Sequence, residues 1–171
     1  MTVYWVIGLA GAGKTTLGRE LTHELKKVQK ETIFLDGDHF RHILGNDVGH
    51  TLEDRRINGW RICRMCEFLD NQEINVVCSI LSLFPEQREW NRQKFSNYFE
   101  IYLDVSMDVL CDRDQKGLYS GAKTGEIKNV AGFDIEFIPP ANPDYVLKND
   151  ISRNNFDTVV KEILKTSGKL K

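Results

Sequence analysis

The sequence contains no apolar run approaching the roughly 20 residues that a membrane-crossing helix needs. Its longest, such as "INVVCSI", are strand-length. A basic surplus is missing too: 23 Lys and Arg against 25 Asp and Glu leave a net charge of −2, which argues against a general nucleic-acid binder. Residues 1–7 ("MTVYWVI") lack the basic start, long apolar middle and small-residue cleavage site of a secretion signal, so a cytoplasmic protein is expected. There are only four cysteines. Cys63 and Cys66 form a C-x-x-C inside a helical pattern, but no second ligand pair follows at zinc spacing, so reduced thiols are expected. His39 and His42 stand one helical turn apart without an obvious third metal ligand. No N-K-x-D guanine-reading motif occurs, which disfavours a GTP-dependent switch. With 171 residues and 41% hydrophobic content, the chain is long enough for one domain with a core and too short for two ordinary ones.

Against these absences stands "VIGLAGAGKTT". Gly8, Gly13, Lys14 and Thr15 fill every required place of G-x-x-x-x-G-K-[ST]. Residues 2–7 read as a buried strand before it, and Leu17, Leu21, Leu25 and Val28 recur at helical spacing after it. In such a strand–loop–helix unit the backbone N–H groups of Gly8, Ala10, Gly11, Ala12, Gly13 and Thr16 turn toward phosphates. Lys14 adds a point charge, and the Thr15 hydroxyl ligates magnesium. The motif specifies a nucleotide, not a reaction.

Further strands are predicted at 32–36, 74–80, 99–105 and 144–149, and a long helix at 51–70 that starts on a capping-box pattern, Thr51 and Asp54. Strands alternating with helices imply a three-layer α/β/α domain of P-loop NTPase type over residues 1–171, with a five-stranded parallel sheet and ligands at the strands' carboxyl ends. Residues 113–143, rich in glycine, charge and proline, read as a mobile lid.

The strand that should carry a magnesium-holding acid in many phosphate-loop hydrolases ends in Cys78 and Ser79. The acids lie in "LDGD" instead, where Asp36 and Asp38 either organise magnesium and accept a hydroxyl proton or cap the helix beginning near His39. Arg55 and Asn58 share a helix face and, with Arg41, either grip an anionic acceptor or are simply solvated. Arg113, Asp114 and Lys116 lie where a lid would close over phosphates.

"GLAGAGKTT", "LDGDHFRHILGNDVGHTLEDRRIN", "RDQKGLY" and "GEIKNVAGFD", in this order, closely resemble adenylylsulfate kinases, which phosphorylate the 3′-hydroxyl of adenylyl sulfate from MgATP. The likeness runs from about Val3 to Asn149. It implies ATP and Mg²⁺ as cofactors, a small nucleotide as acceptor and a homodimer. Catalytic candidates are then Lys14, Asp36, Asp38, Ser82 and Arg113, with magnesium at Thr15, Asp36 and Asp38. Asp38, Arg41, His50, Arg55, Asn58, Leu81, Ser82, Lys116, Asn129 and Val130 would line the acceptor site. Ser82 matches the serine that the family's descriptions label a phosphorylated intermediate, although a serine with no adjacent base is a weak nucleophile.

The departures are informative. Aromatic residues common in the family, enclosing the acceptor's adenine, are replaced by His50 and Val130; a common arginine is Trp60; I-S-P reads Leu81-Ser82-Leu83; and a lysine pair after K-G-L-Y is Ser120-Gly121. Losing an aromatic platform costs roughly 1 to 3 kcal/mol of stacking, by analogy with base stacking in nucleic-acid sites. Phosphate-handling residues are kept while base-handling ones have changed. This is similar to the branch of cytidine diphosphoramidate kinases of capsule-modifying pathways, which is the expected function. Adenylyl sulfate is the alternative acceptor, and a non-catalytic nucleotide sensor the reading from another class.

Overall fold

The computed structural model describes residues 1–151, 153 and 155–170. Its centre is β1 (Val3–Ile7), whose five residues are all buried. Alternation along that strand sets the two helical layers. Tyr4 and Val6 face a core cluster containing Leu17, Leu21 and Leu25 of α1 (Lys14–Val28) and Val160, Ile163 and Leu164 of α7 (Asp157–Thr166). Val3, Trp5 and Ile7 face a second cluster containing Ile62, Cys63 and Cys66 of α3 (Leu52–Asn71). Cys63 and Cys66 serve here as small core residues, and burial pushes the Cys63 thiol up to about 12.

The sheet has the order β2-β3-β1-β4-β5, with every pairing parallel. The other strands are β2 (Thr32–Asp36), β3 (Asn75–Ile80), β4 (Tyr98–Asp104) and β5 (Tyr145–Lys148). All five match the expected strands to within a residue or two. The chain crosses from β1 over α1 to the β2 edge, returns through β3, and only then builds the β4 side. The carboxyl end of β1 therefore lies where the order reverses, which is where ligands bind in such sheets.

The capping box of α3 is present: the Thr51 hydroxyl accepts from Asp54 N at 3.2 Å, and the Asp54 carboxylate accepts from Thr51 N at 3.1 Å. Two short helices follow β2 and β3: α2 (Gly37–Ile43) and α4 (Pro85–Lys94). The expected lid is more ordered than its composition suggests. The helix α5 (Met107–Arg113) runs into a single 3-10 turn and then α6 (Leu118–Thr124), whose Tyr119 and Ala122 join the first core cluster. From Gly125 to Asp144 the only pairing is one bridge, Ala131 to Ile135.

Candidate active site

After Ile7 the chain turns into the glycine-rich loop, with Gly11 and Gly13 at φ 79° and 101°, left-handed values natural to glycine. A Cβ at Gly13 would lie 3.2 Å from Asn149 Nδ2, so the close approach also requires glycine. Three loop carbonyls are tied from distant parts of the chain. Tyr119 Oη donates to Ala10 O at 3.0 Å, Arg113 Nη1 to Gly11 O at 3.1 Å and Asn149 Nδ2 to Ala12 O at 2.9 Å. An anion in the loop then meets N–H groups rather than those three oxygens.

Lys14 opens α1, and the Ser79 hydroxyl of β3 holds that first turn by donating to Lys14 O at 2.9 Å. The Lys14 ammonium donates to Leu9 O at 2.8 Å. Burial pulls its pKa down from 10.5 to about 8, opposed by the nearby Asp38 and Asp36 carboxylates. Asp36 ends β2 and does two things: it accepts from the Thr15 hydroxyl at 2.8 Å, and it caps α2 by accepting from Asp38 N at 3.1 Å and His39 N at 3.3 Å. Asp38, in the first turn of α2, is exposed. Among the described residues no three His, Cys, Asp or Glu side chains converge on one point. A site of one hydroxyl and one or two carboxylates, completed by phosphate oxygens and water, is instead the usual habit of magnesium, and Thr15 with Asp36 fits it.

Beside this lies a cavity lined by Asp38, Arg41, Arg55, Asn58, Leu81 and Ser82, among others. Arg41 is buried, with Nη1 donating to Val48 O at 3.0 Å and Gly49 O at 2.6 Å. Arg55 Nε donates to His50 O at 3.0 Å and Nη2 to Asn129 O at 2.8 Å. Among the described residues neither arginine forms an ion pair. Burial, then the charge of Arg41, draws the Arg55 pKa down. Two guanidinium groups held close, neither of them ion-paired among the described residues, are electrostatically ready for an anion, with Asp38 the carboxylate that lines the same cavity.

The structure thus gathers six expected acceptor residues around one cavity and leaves four outside its lining. His50 is exposed, Lys116 is exposed at φ 63°, Asn129 contributes its carbonyl to Arg55, and Val130 is buried in the first core cluster. Arg113 is engaged with the loop and with Asn149 O at 2.6 Å. Ser82 adopts φ 54° and is 4% exposed, and its hydroxyl accepts from Trp5 Nε1 at 3.0 Å.

The adenylylsulphate kinase family model matches residues 1–148. The chain belongs to the adenylylsulphate kinase family. It is 41% identical over 163 residues to a cytidine diphosphoramidate kinase of Campylobacter jejuni subsp. jejuni serotype O:2, covering 95% of this chain and 94% of that one. It is 39% identical over 146 residues to the adenylyl-sulfate kinase of Halothermothrix orenii, covering 85% and 79%. The structure of the Mycobacterium tuberculosis APS kinase in complex with AMPPNP and APS superimposes with a TM-score of 0.84 at 29% identity, covering 96% of both chains.

Several residues of this adenylylsulphate kinase family site escaped the sequence reading. Asn149 follows β5 at the carboxyl edge of the sheet, a position that the strand-end rule could have flagged. Tyr119 was seen only as part of a motif. Gln87 and Arg88 sit in "FPEQREWNR", just after Leu81-Ser82-Leu83, in a stretch whose polar composition carries no motif; both are buried, and Arg88 joins Ser82 O to Ile138 O of the long irregular segment at 3.0 Å each.

Proposed function

We propose that this adenylylsulphate kinase family member transfers the γ-phosphoryl group of ATP to the ribose 3′-hydroxyl of cytidine 5′-diphosphoramidate, in the cytoplasm, as a step toward capsule phosphoramidate. The observation that carries the choice of acceptor is the missing purine clamp. His50 is exposed outside the cavity lining, and Val130 turns into the core. A smaller base loses less without a sandwich. The near full-length likeness to a cytidine diphosphoramidate kinase supports the same choice. Adenylyl sulfate is the second reading, favoured by Arg41 and Arg55, which would grip any doubly anionic tail.

When bound, MgATP supplies the phosphoryl group and a cation that neutralises its outer oxygens, held through Thr15 and Asp36. Lys14 leaves Leu9 O to meet the outer phosphates. Asp38 accepts the 3′-hydroxyl proton, and Arg41 and Arg55 hold the acceptor's tail so that its ribose faces the donor. Ser82, without a neighbouring base, positions the acceptor rather than carrying phosphate. Arg113 reaches the transferring group only by giving up the carbonyls it now holds. The part of segment 113–143 outside the core, with Lys116 and Asn129, closes as a lid and excludes water, while Tyr119, Ala122 and Val130 stay packed.

Incubation with MgATP and each acceptor, followed by ADP release and phosphorus NMR of the product, tests this. Higher kcat/KM for adenylyl sulfate would reverse the choice of acceptor, and no acceptor-dependent ADP from either would favour a sensor. A homodimer is proposed through the apolar face of α2 and α3, where Leu44, Ile57, Met65 and Phe68 are exposed. Light scattering of wild type and Phe68→Glu checks it, the variant being expected to run as a monomer.

A further inference from the structure

Gly59 lies inside α3, where glycine weakens a helix. Its neighbour explains it: a Cβ at position 59 would overlap Gln87 Oε1 and lie 2.9 Å from Gln87 Nε2. Gln87, from α4, is 1% exposed, and a buried carboxamide is itself unfavourable unless both its ends find partners. Nε2 donates to Arg56 O at 3.0 Å, which fixes which end of the amide is which. Oε1 lies over Gly59, and the buried polar atom left without a partner beside it is Oδ1 of the adjacent Asn58, 5% exposed. Gln87, Asn58 and Gly59 all line the acceptor cavity. A helix-interior glycine that makes room for a buried carboxamide, beside the orphaned Oδ1 of Asn58, is a local defect of the kind that gathers where ligands bind.

The layout of the cavity says which part of an acceptor arrives there. Asp38 stands at the transfer end, beside Lys14, and takes the ribose. His50 and Asn129, bridged by Arg55, lie outside the lining and leave the base on that side. The 5′ tail, held by Arg41 and Arg55, then meets the part of the lining formed by Ser82, Leu83, Phe84 and Gln87, whose Nε2 bonds the carbonyl of Arg56, next to Arg55. A sulfate or phosphate terminus would set anionic oxygens against these carboxamide oxygens. A terminus bearing P–NH₂ offers them N–H donors.

Resting on the diphosphoramidate reading above, we infer that Gln87, given room by Gly59, is the residue that selects an acceptor whose 5′ tail ends in an amine over its oxygen isostere. The test is kcat/KM for cytidine 5′-diphosphoramidate against cytidine 5′-diphosphate, which differ only in the terminal group. Wild type should prefer the amine by about tenfold, the size expected for one hydrogen bond at a charged group. Gln87→Leu should bring the ratio to within about twofold and leave KM for ATP unchanged. A wild-type ratio near one, or a ratio that survives the substitution, overturns the inference. If Gln87→Leu fails to fold, Gln87→Met and the wild-type ratio decide it. Should wild type phosphorylate adenylyl sulfate and neither cytidine compound, the underlying reading falls and this inference with it. Equal turnover of both cytidine compounds removes only the role of Gln87.

Discussion

Replacing Lys14 by methionine should stabilise the free protein while destroying its nucleotide binding. The ammonium is sequestered against Leu9 O, and its pKa falls from 10.5 to about 8 because burial outweighs the attraction of Asp38 and Asp36. At about 1.4 kcal/mol per pH unit, that fall is a cost of roughly 3 kcal/mol carried by the charged side chain. The folded-state value lies below the unfolded one, so the cost is fully present below pH 8. It fades as pH rises from 8 through 10.5, above which lysine is neutral in both states. Methionine keeps the apolar stem but strands Leu9 O and leaves two carboxylates without a cation, returning about 1 to 2 kcal/mol. The net gain expected at pH 7 is about 1 to 2 kcal/mol; as the cost fades the difference passes through zero between pH 8 and 10.5 and leaves the variant about 1 kcal/mol the less stable, because Leu9 O stays stranded. Urea unfolding followed by tryptophan fluorescence, on both proteins at pH 7 and in steps from 8 to 10.5, measures it. A variant no more stable than wild type at pH 7, or a difference that stays flat across the alkaline range, would refute the reasoning.

Asp38→Asn should cut turnover by about 10² to 10⁴ while titration calorimetry shows ATP affinity changed less than about threefold; undiminished turnover would take Asp38 out of the chemistry. Asn149→Ala strands Ala12 O, so ATP affinity should weaken by about tenfold and stability by about 1 to 2 kcal/mol, and a normal affinity would mean that this tie does not shape the loop. Gly18→Ala puts a Cβ into Ser79 Oγ and 2.5 Å from the Phe34 ring. Overpacking there should cost about 2 kcal/mol, about 4 to 8 °C in melting temperature, which calorimetry would register.

Much of this was legible because it is local. β1 is apolar on both faces, the phosphate loop is written in nine consecutive residues, and the capping box of α3 spans four. The helix α4 was not legible: its inward positions are Gln87, Arg88 and Asn91, polar residues that erase the apolar period. In α6 the seven residues LYSGAKT include glycine and serine, too short and mixed a stretch to register as helix within a segment of lid composition. The pair at "LDGD" was read as either magnesium-handling or capping, and Asp36 caps α2 while also meeting Thr15, because the strand end and the helix start fall on one residue. The ties on the loop carbonyls were out of reach, since each joins residues more than 100 apart and no pattern in either neighbourhood announces the other.

Those ties bear on how the protein is made. The glycine-rich turn leaves the ribosome more than 100 residues ahead of its three fastenings, which arrive only with positions 113, 119 and 149. Closing such wide rings carries an entropic cost that the rest of the sheet must first offset. A growing chain therefore has no finished cradle until residue 149 is out, and capture of a nucleotide during synthesis or refolding marks a late milestone rather than an early one.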